Sequence, residues 1–201
     1  MARVLILFAH PLFEKSRIHQ ALFAAASGMK DVFINDLYQH YPDFDIDIQR
    51  EKELLTAHDV IIWQHPLYWY SAPALIKQWL DLVLEHGWAY GKQGTALRGK
   101  KAFNVLTSGG GKEAYQPGGY NKYGIQDYLK PFERTAELCG MQYLPPFWVP
   151  DAHHITPELI TQYSGRYKRL LTALSNGEIA GGPFNTTGYL NDLELFNSSE
   201  L

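Results

Sequence analysis

Six apolar residues in a row, Val4-Leu5-Ile6-Leu7-Phe8-Ala9, stop at His10-Pro11. A run without polar alternation suits a strand buried on both faces of a parallel sheet. Ser16 stands at an N-cap position ahead of a helix over about residues 17–27. Val32-Phe33-Ile34 reads as a second strand, and the polar stretch Tyr41-Pro42-Asp43-Phe44-Asp45 leads to a helix over about residues 49–57. Val60-Ile61-Ile62-Trp63-Gln64 is a third strand, closed by His65-Pro66. Pro73 suits the first turn of the next helix, which carries Leu75, Ile76, Trp79, Leu80 and Val83 on one face. Four glycines, Gly87, Gly91, Gly94 and Gly99, mark an excursion expected to be mobile.

Residues 103–106 form a fourth strand, ending in Thr107-Ser108-Gly109-Gly110-Gly111. A helix over about residues 125–138 stops at Gly140, a natural residue to follow a helix end. Residues 142–149 supply a fifth strand, which Pro145-Pro146 interrupts and so assigns to a sheet edge. A last helix begins at Pro157. Five strands alternating with helices predict an α/β fold, a doubly wound parallel sheet of order 2-1-3-4-5 with helices on both faces. Residues 1–175 form one domain on this reading, and residues 176–201 a Gly-, Asn- and Ser-rich arm that Leu190, Leu193, Leu195 and Phe196 could dock.

The ligand crevice of such a sheet lies at the carboxyl ends of strands 1 and 3. The three unusual loops, beginning at His10, Pro66 and Thr107, all converge there. In the first, Ser16-Arg17-Ile18-His19 offers free N–H groups, a hydroxyl and a guanidinium at a helix N-terminus, a cradle for one phosphate. An ordinary capped helix with a solvated arginine explains the same residues. The second, Pro66-Leu67-Tyr68-Trp69-Tyr70, sets three aromatics beside a strand end, where a planar heterocycle could lie. In the third, Thr107, Ser108, Gly109 and Gly110 can bring amide donors close to a ring. Phosphate cradle, flat slot and amide donors together describe a flavin mononucleotide site.

Composition narrows the alternatives. The chain has 201 residues, is 46% hydrophobic, and carries 18 basic against 21 acidic residues for a net charge of −3. That is globular, without the basic stripe that nucleic acid demands or the acidic face of a pure electron carrier. One cysteine, Cys139, excludes an intramolecular disulfide and fits a reducing compartment. With neither a leader pattern nor a spanning apolar run, the expectation is a soluble cytoplasmic protein. Motifs for a dinucleotide fold, a P-loop and a nucleophile elbow are missing. His10 and His65 end neighbouring strands, but no third ligand accompanies them, so no metal is expected. His153-His154 reads as a polar loop pair, and the Asn185 and Asn197 glycosylation patterns carry no meaning in a cytosolic chain.

Leu7-Phe8-Ala9-His10-Pro11 with Ser16, Gln64-His65-Pro66-Leu67-Tyr68-Trp69-Tyr70, Gly87-Trp88-Ala89-Tyr90-Gly91 and Thr107-Ser108-Gly109-Gly110-Gly111 resemble the NAD(P)H:quinone oxidoreductase family. Asp36-Leu37-Tyr38, Tyr41-Pro42-Asp43-Phe44 and Asp45-Ile46-Asp47-Ile48 look most like its branch of ancillary proteins of bacterial glutathione-gated potassium efflux. The resemblance covers roughly residues 3–172. It implies a flavodoxin-like fold, a homodimer with active sites at the subunit interface, and two-electron transfer from NAD(P)H to a quinone or similar acceptor. By position it puts the flavin phosphate at Ser16, Arg17, Ile18 and His19 with His10 beside it, the ring along Pro66, Leu67, Tyr68 and Trp69, and the ring edge at Thr107 to Gly110. FMN is favoured over FAD by the short chain and the likeness to the ancillary branch. Tyr115 falls where mammalian-type quinone reductases place a proton-relay tyrosine, while Tyr120 and Asn121 occupy the neighbourhood of its partner histidine. The same branch implies a second role, docking on the cytoplasmic side of a membrane cation antiporter.

Overall fold

The computed structural model describes residues 1–179 and 188–193. Strands β1 (Val4–Phe8), β2 (Val32–Asp36), β3 (Val60–Pro66), β4 (Lys101–Thr107), β5 (Gln142–Tyr143) and β6 (Phe147–Val149) form one parallel sheet. Its order is β2-β1-β3-β4-β5, with β6 also bonded to β4, so the expected 2-1-3-4-5 arrangement holds. The fifth strand is the one departure. Lys101 pairs with Gln142 and Val105 with Phe147, and Pro145-Pro146 splits what lies between.

Successive residues of β1 point to opposite faces and both faces are covered. Val4, Ile6 and Phe8 join Ile62, Phe103 and Val105 under α1 (Arg17–Ala26) and the long helix α7 (Pro157–Asn176). Leu5 and Leu7 join Ile61, Trp63 and Leu106 under α3 (Ile48–Ala57), α4 (Ala74–Val83) and α6 (Lys130–Leu138). This double burial is why the strand sequences carry no polar alternation.

Two short helices were not in the pattern. Asp36 caps α2 (Leu37–His40) by accepting from the N–H of Gln39. The helix expected over residues 125–138 is divided into α5 (Ile125–Tyr128) and α6 at Leu129. Pro131 has no N–H to give the carbonyl four residues back, so the ladder breaks there. Nor does the glycine-rich excursion show the expected looseness. Ala89 and Leu97 are fully buried, and His86 lies against Gly91, where a Cβ would come within 2.6 Å of its Nε2.

Beyond α7, Leu190 is completely buried beside the α1/α7 layer, and its N–H donates to the carbonyl of Pro146. Leu193 packs against the same cluster. Leu195, Phe196, Asn185 and Asn197 lie outside the described residues.

Candidate functional site

The carboxyl ends of β1, β3 and β4 open into a cavity of about 330 Å³. At one end stands α1. Ser16 caps it, its Oγ accepting from the N–H of His19 at 3.2 Å. The helix cannot satisfy its own first N–H groups, and two of the residues that carry them, Arg17 and Ile18, line the cavity. Arg17 is braced by an Nη2 bond to the carbonyl of Ile155. Lys15 adds a second cation to the same wall, so two basic side chains and a helix N-terminus meet at this end, groups that suit an anion.

His10 and His19 behave differently. His10 borders the cavity and its Nδ1 accepts from the N–H of Leu12, which leaves Nε2 as the donor of a neutral ring. Burial lowers its pKa, with Glu14 partly opposing. His19 is completely buried behind the wall, its ring 5.0 Å from that of His10. Burial, reinforced by His10 and His65, pushes its pKa well below the ordinary value, so it is neutral.

Pro66, Leu67 and Tyr68 line the cavity from the end of β3. Trp69 does not. Tyr68 and Ser71 exchange backbone bonds at 2.9 and 3.0 Å, closing a two-residue turn whose centre is Trp69 (φ 49°) and Tyr70 (φ 62°). Positive φ at both positions is the geometry normally given to Asn-Gly, and bulky side chains adopt it only under constraint. The turn thrusts Trp69 outward, where it is 94% exposed. Tyr70 leans back, stacks on Tyr128 at 5.2 Å and bonds Asn121.

Thr107 and Gly109 border the cavity, whereas Ser108 is turned away from it. The N–H of Ser108 donates to Val149, its Oγ donates to the carbonyl of Gly110, and the same Oγ accepts from Trp148 Nε1. With these bonds made inside the protein, Ser108 anchors the loop, its N–H and hydroxyl already engaged. The glycines also serve the packing of the loop. Their missing Cβ atoms make room for the protein's own side chains: His153 at Gly109, Ala114 and Tyr115 at Gly110, and the Glu113 carboxylate at Gly111. Gly110 does not border the cavity and lies next to Tyr115.

Tyr115 is half-buried, its ring edge-on to Trp148 and Tyr128. Burial first, then Tyr70 and Tyr128, raises its pKa, so the phenol keeps its proton. Asn121 lies near Gly110 and accepts a bond from the Tyr70 hydroxyl, so a neutral amide stands close to Tyr115.

Sequence reading missed Lys15, Leu12, Ala152 and His153, all of which border the cavity. The last two follow β6, whose carboxyl end leaves the sheet at the same edge as the other loops. That topological rule was the available signal. A larger cavity of about 420 Å³ lies between α4 and α6, but its wall is mainly apolar and its charged pair, Lys77 and Asp81, is engaged with itself. The converging donors, rather than volume, single out the first cavity.

Residues 2–171 match the model of a family described by its flavodoxin-like fold. A glutathione-regulated potassium-efflux system ancillary protein, KefG, from Serratia proteamaculans is 47% identical, covering 82% of this chain and 90% of its own. Among solved structures, a chain described as a thermophilic tryptophan halogenase from Streptomycin violaceusniger is 41% identical (83% of this chain, 97% of that one, TM-score 0.81). General stress protein 14 from Treponema denticola, solved in complex with FMN, is 35% identical (86% and 99%, TM-score 0.81). An NADPH-quinone reductase from P. pentosaceus is 34% identical (84% and 96%, TM-score 0.76). These structures share the fold, while their descriptions name different proteins.

Proposed function

The chain belongs to the flavodoxin-like family, and from that premise we propose that it is an FMN-dependent NAD(P)H:quinone oxidoreductase. The observation that carries this reading is the convergence on one cavity of the α1 first turn, the β3 end and the β4 loop. An FMN complex and a quinone reductase among similar structures support it.

FMN, when bound, supplies the redox centre between NAD(P)H and a quinone. Its phosphate would be held by the N–H groups of Arg17 and Ile18, with Ser16 keeping the helix end in place and Lys15 and Arg17 balancing the charge. His10, neutral, would donate from Nε2. Pro66, Leu67 and Tyr68 would flank the ring and keep water from one side of it, while Thr107, Gly109 and Gly110 would meet its edge. Tyr115 holds a proton at its Oη and is the candidate donor, without a charged partner. The cavity volume is near the low end of the range for small-molecule sites, about 300–1,000 Å³. A second copy laid over exposed Trp69 and Tyr70 would complete the wall, which is the role we assign to a homodimer.

Purified protein should absorb as a flavoprotein, bleach on addition of NAD(P)H, and recover its colour with a quinone. A colourless protein that takes up no FMN on reconstitution would overturn the reading. A second reading, an ancillary subunit docked on a cytoplasmic antiporter domain, is favoured by the KefG relatives. No helix among the described residues is long and apolar enough to cross a membrane, so such an association would be peripheral. Failure to co-purify with the product of a neighbouring antiporter gene would count against it.

A further inference from the structure

We propose that Tyr167 and Gln64 are positioning residues that hold His19 in its Nε2–H form and thereby make the Thr107 hydroxyl a donor into the cavity. The ligand end of this inference rests on the FMN reading above; the tautomer does not.

Four buried side chains form a line from the α7 layer to the cavity. Tyr167 Oη lies 2.9 Å from Gln64 Oε1, Gln64 Nε2 lies 3.4 Å from His19 Nδ1, and His19 Nε2 lies 3.2 Å from Thr107 Oγ1. Tyr167, Gln64 and His19 are at most 1% exposed. Counting donors fixes the direction of the line. The phenol hydrogen of Tyr167, fully buried, needs an acceptor, and the Gln64 carboxamide is the partner it has there. Gln64 must therefore present Oε1 to Tyr167 and its NH₂ to His19. The reversed amide would leave the phenol hydrogen without a partner. Since Nδ1 of a neutral His19 is then the acceptor, Nε2 carries the hydrogen and gives it to Thr107 Oγ1. The Thr107 hydroxyl has accepted one bond, and its own hydrogen is free to point into the cavity that Thr107 lines.

An independent line on the other sheet face uses the same order of groups, and there the direction is not in question. His65 Nδ1 lies 3.0 Å from the carbonyl of Pro66, which can only accept. His65 is therefore the Nδ1–H form, its Nε2 accepts from Asn104 Nδ2 at 2.9 Å, and Asn104 Oδ1 accepts from Tyr143. Phenol to carboxamide to imidazole is thus used twice, with opposite tautomers. The His65 line ends on a backbone carbonyl. The His19 line ends on a hydroxyl that turns the bond onward.

The ligand group served is an acceptor, a phosphate oxygen or a ring carbonyl or nitrogen of the flavin. Long-range ¹H–¹⁵N correlation of the histidine rings in the flavin-free protein, with His19→Asn for assignment, reads the tautomer directly. The expected pattern at neutral pH is Nε2–H for His19 and Nδ1–H for His65. In Gln64→Glu, a carboxylate that only accepts should convert His19 to Nδ1–H or to the imidazolium. An Nδ1–H His19 in the unaltered protein overturns the proposal, as does a His19 indifferent to Gln64→Glu. For the ligand end, FMN titration followed by flavin fluorescence should show affinity reduced about tenfold or more in Thr107→Val and retained in Thr107→Ser. Equal affinity in Thr107→Val overturns the donor role. If the unaltered protein binds no FMN, the functional reading and the ligand end fall together, while the ring spectrum still decides the tautomer.

Discussion

The side-chain amide of Asn191 pairs with both backbone groups of Trp148, accepting from its N–H at 2.8 Å and donating to its carbonyl at 3.0 Å. One amide thus does along the outer side of β6 what a further strand would do, and closes the sheet edge. Trp148 in turn holds Ser108, and Ser108 holds the carbonyl of Gly110. The segment after α7 is tied to the cavity loop by this sequence of contacts. Asn191→Ala should cost about 1–3 kcal/mol, since it leaves two buried backbone groups unpaired. A lower urea midpoint together with faster amide exchange at Trp148 is the expected result.

The Trp69-Tyr70 turn is strained for its residues, because both centres have positive φ. Replacing them by Asn-Gly should stabilise the fold by about 1–3 kcal/mol, through relief of that strain. The same double substitution should lower kcat/KM for NAD(P)H-dependent quinone reduction, since it removes the exposed rings beside the cavity. Thermal melts and steady-state kinetics on one preparation check both halves. A variant that is no more stable would show that the turn is not strained.

Glu51 is completely buried and accepts from Asn35, Tyr41, Trp79 and Arg50. Burial and the Glu51 carboxylate push the Tyr41 phenol up to about 12. Glu51→Ala removes the acceptor for all four donors and leaves Arg50 without its anion, an effect of about 3–5 kcal/mol. Chemical denaturation of this variant should show that loss, and the loop through Asp43 should become sensitive to protease.

Acid should destabilise the protein before its carboxylates titrate. Burial lowers His65 from 6.5 to about 4, and His19 also lies well below its ordinary value. The unfolded chain therefore takes up protons that the folded chain refuses, so stability falls as pH drops from about 6.5 towards 4. The His65 share alone is on the order of 3 kcal/mol at the acid end of that window. Urea midpoints at pH 7.5 and pH 5 should differ in this direction. In His65→Asn the pH dependence should shrink. Equal midpoints at the two pH values would refute the assignment of buried neutral rings.

Much of the site was legible because loop position follows from strand order. Once the unbroken apolar runs fixed a parallel sheet, His10, Pro66 and Thr107 had to leave it at one edge. Ser16 was readable as a cap because its hydroxyl bonds within its own first turn. Other roles depended on partners far along the chain. Ser108 is defined by Trp148, forty residues away, and Trp69 by a turn whose positive φ no Trp-Tyr pair announces. His153 looked like one of a polar loop pair until the fold laid it over Gly109.

The sequence by itself determined the architecture, since periodicity, caps and breakers are local signals that each segment carries. It also named the three loops that meet at the cavity. Only the tertiary structure decided what individual side chains do there: that the His19 ring is buried and neutral, that the glycines make room for neighbours, and that residues 188–193 brace the edge strand. The physical reason is that a polar group's role is set by the donors and acceptors that surround it. In this fold those arrive from elements distant in sequence, as Tyr167 reaches Gln64 across 103 positions.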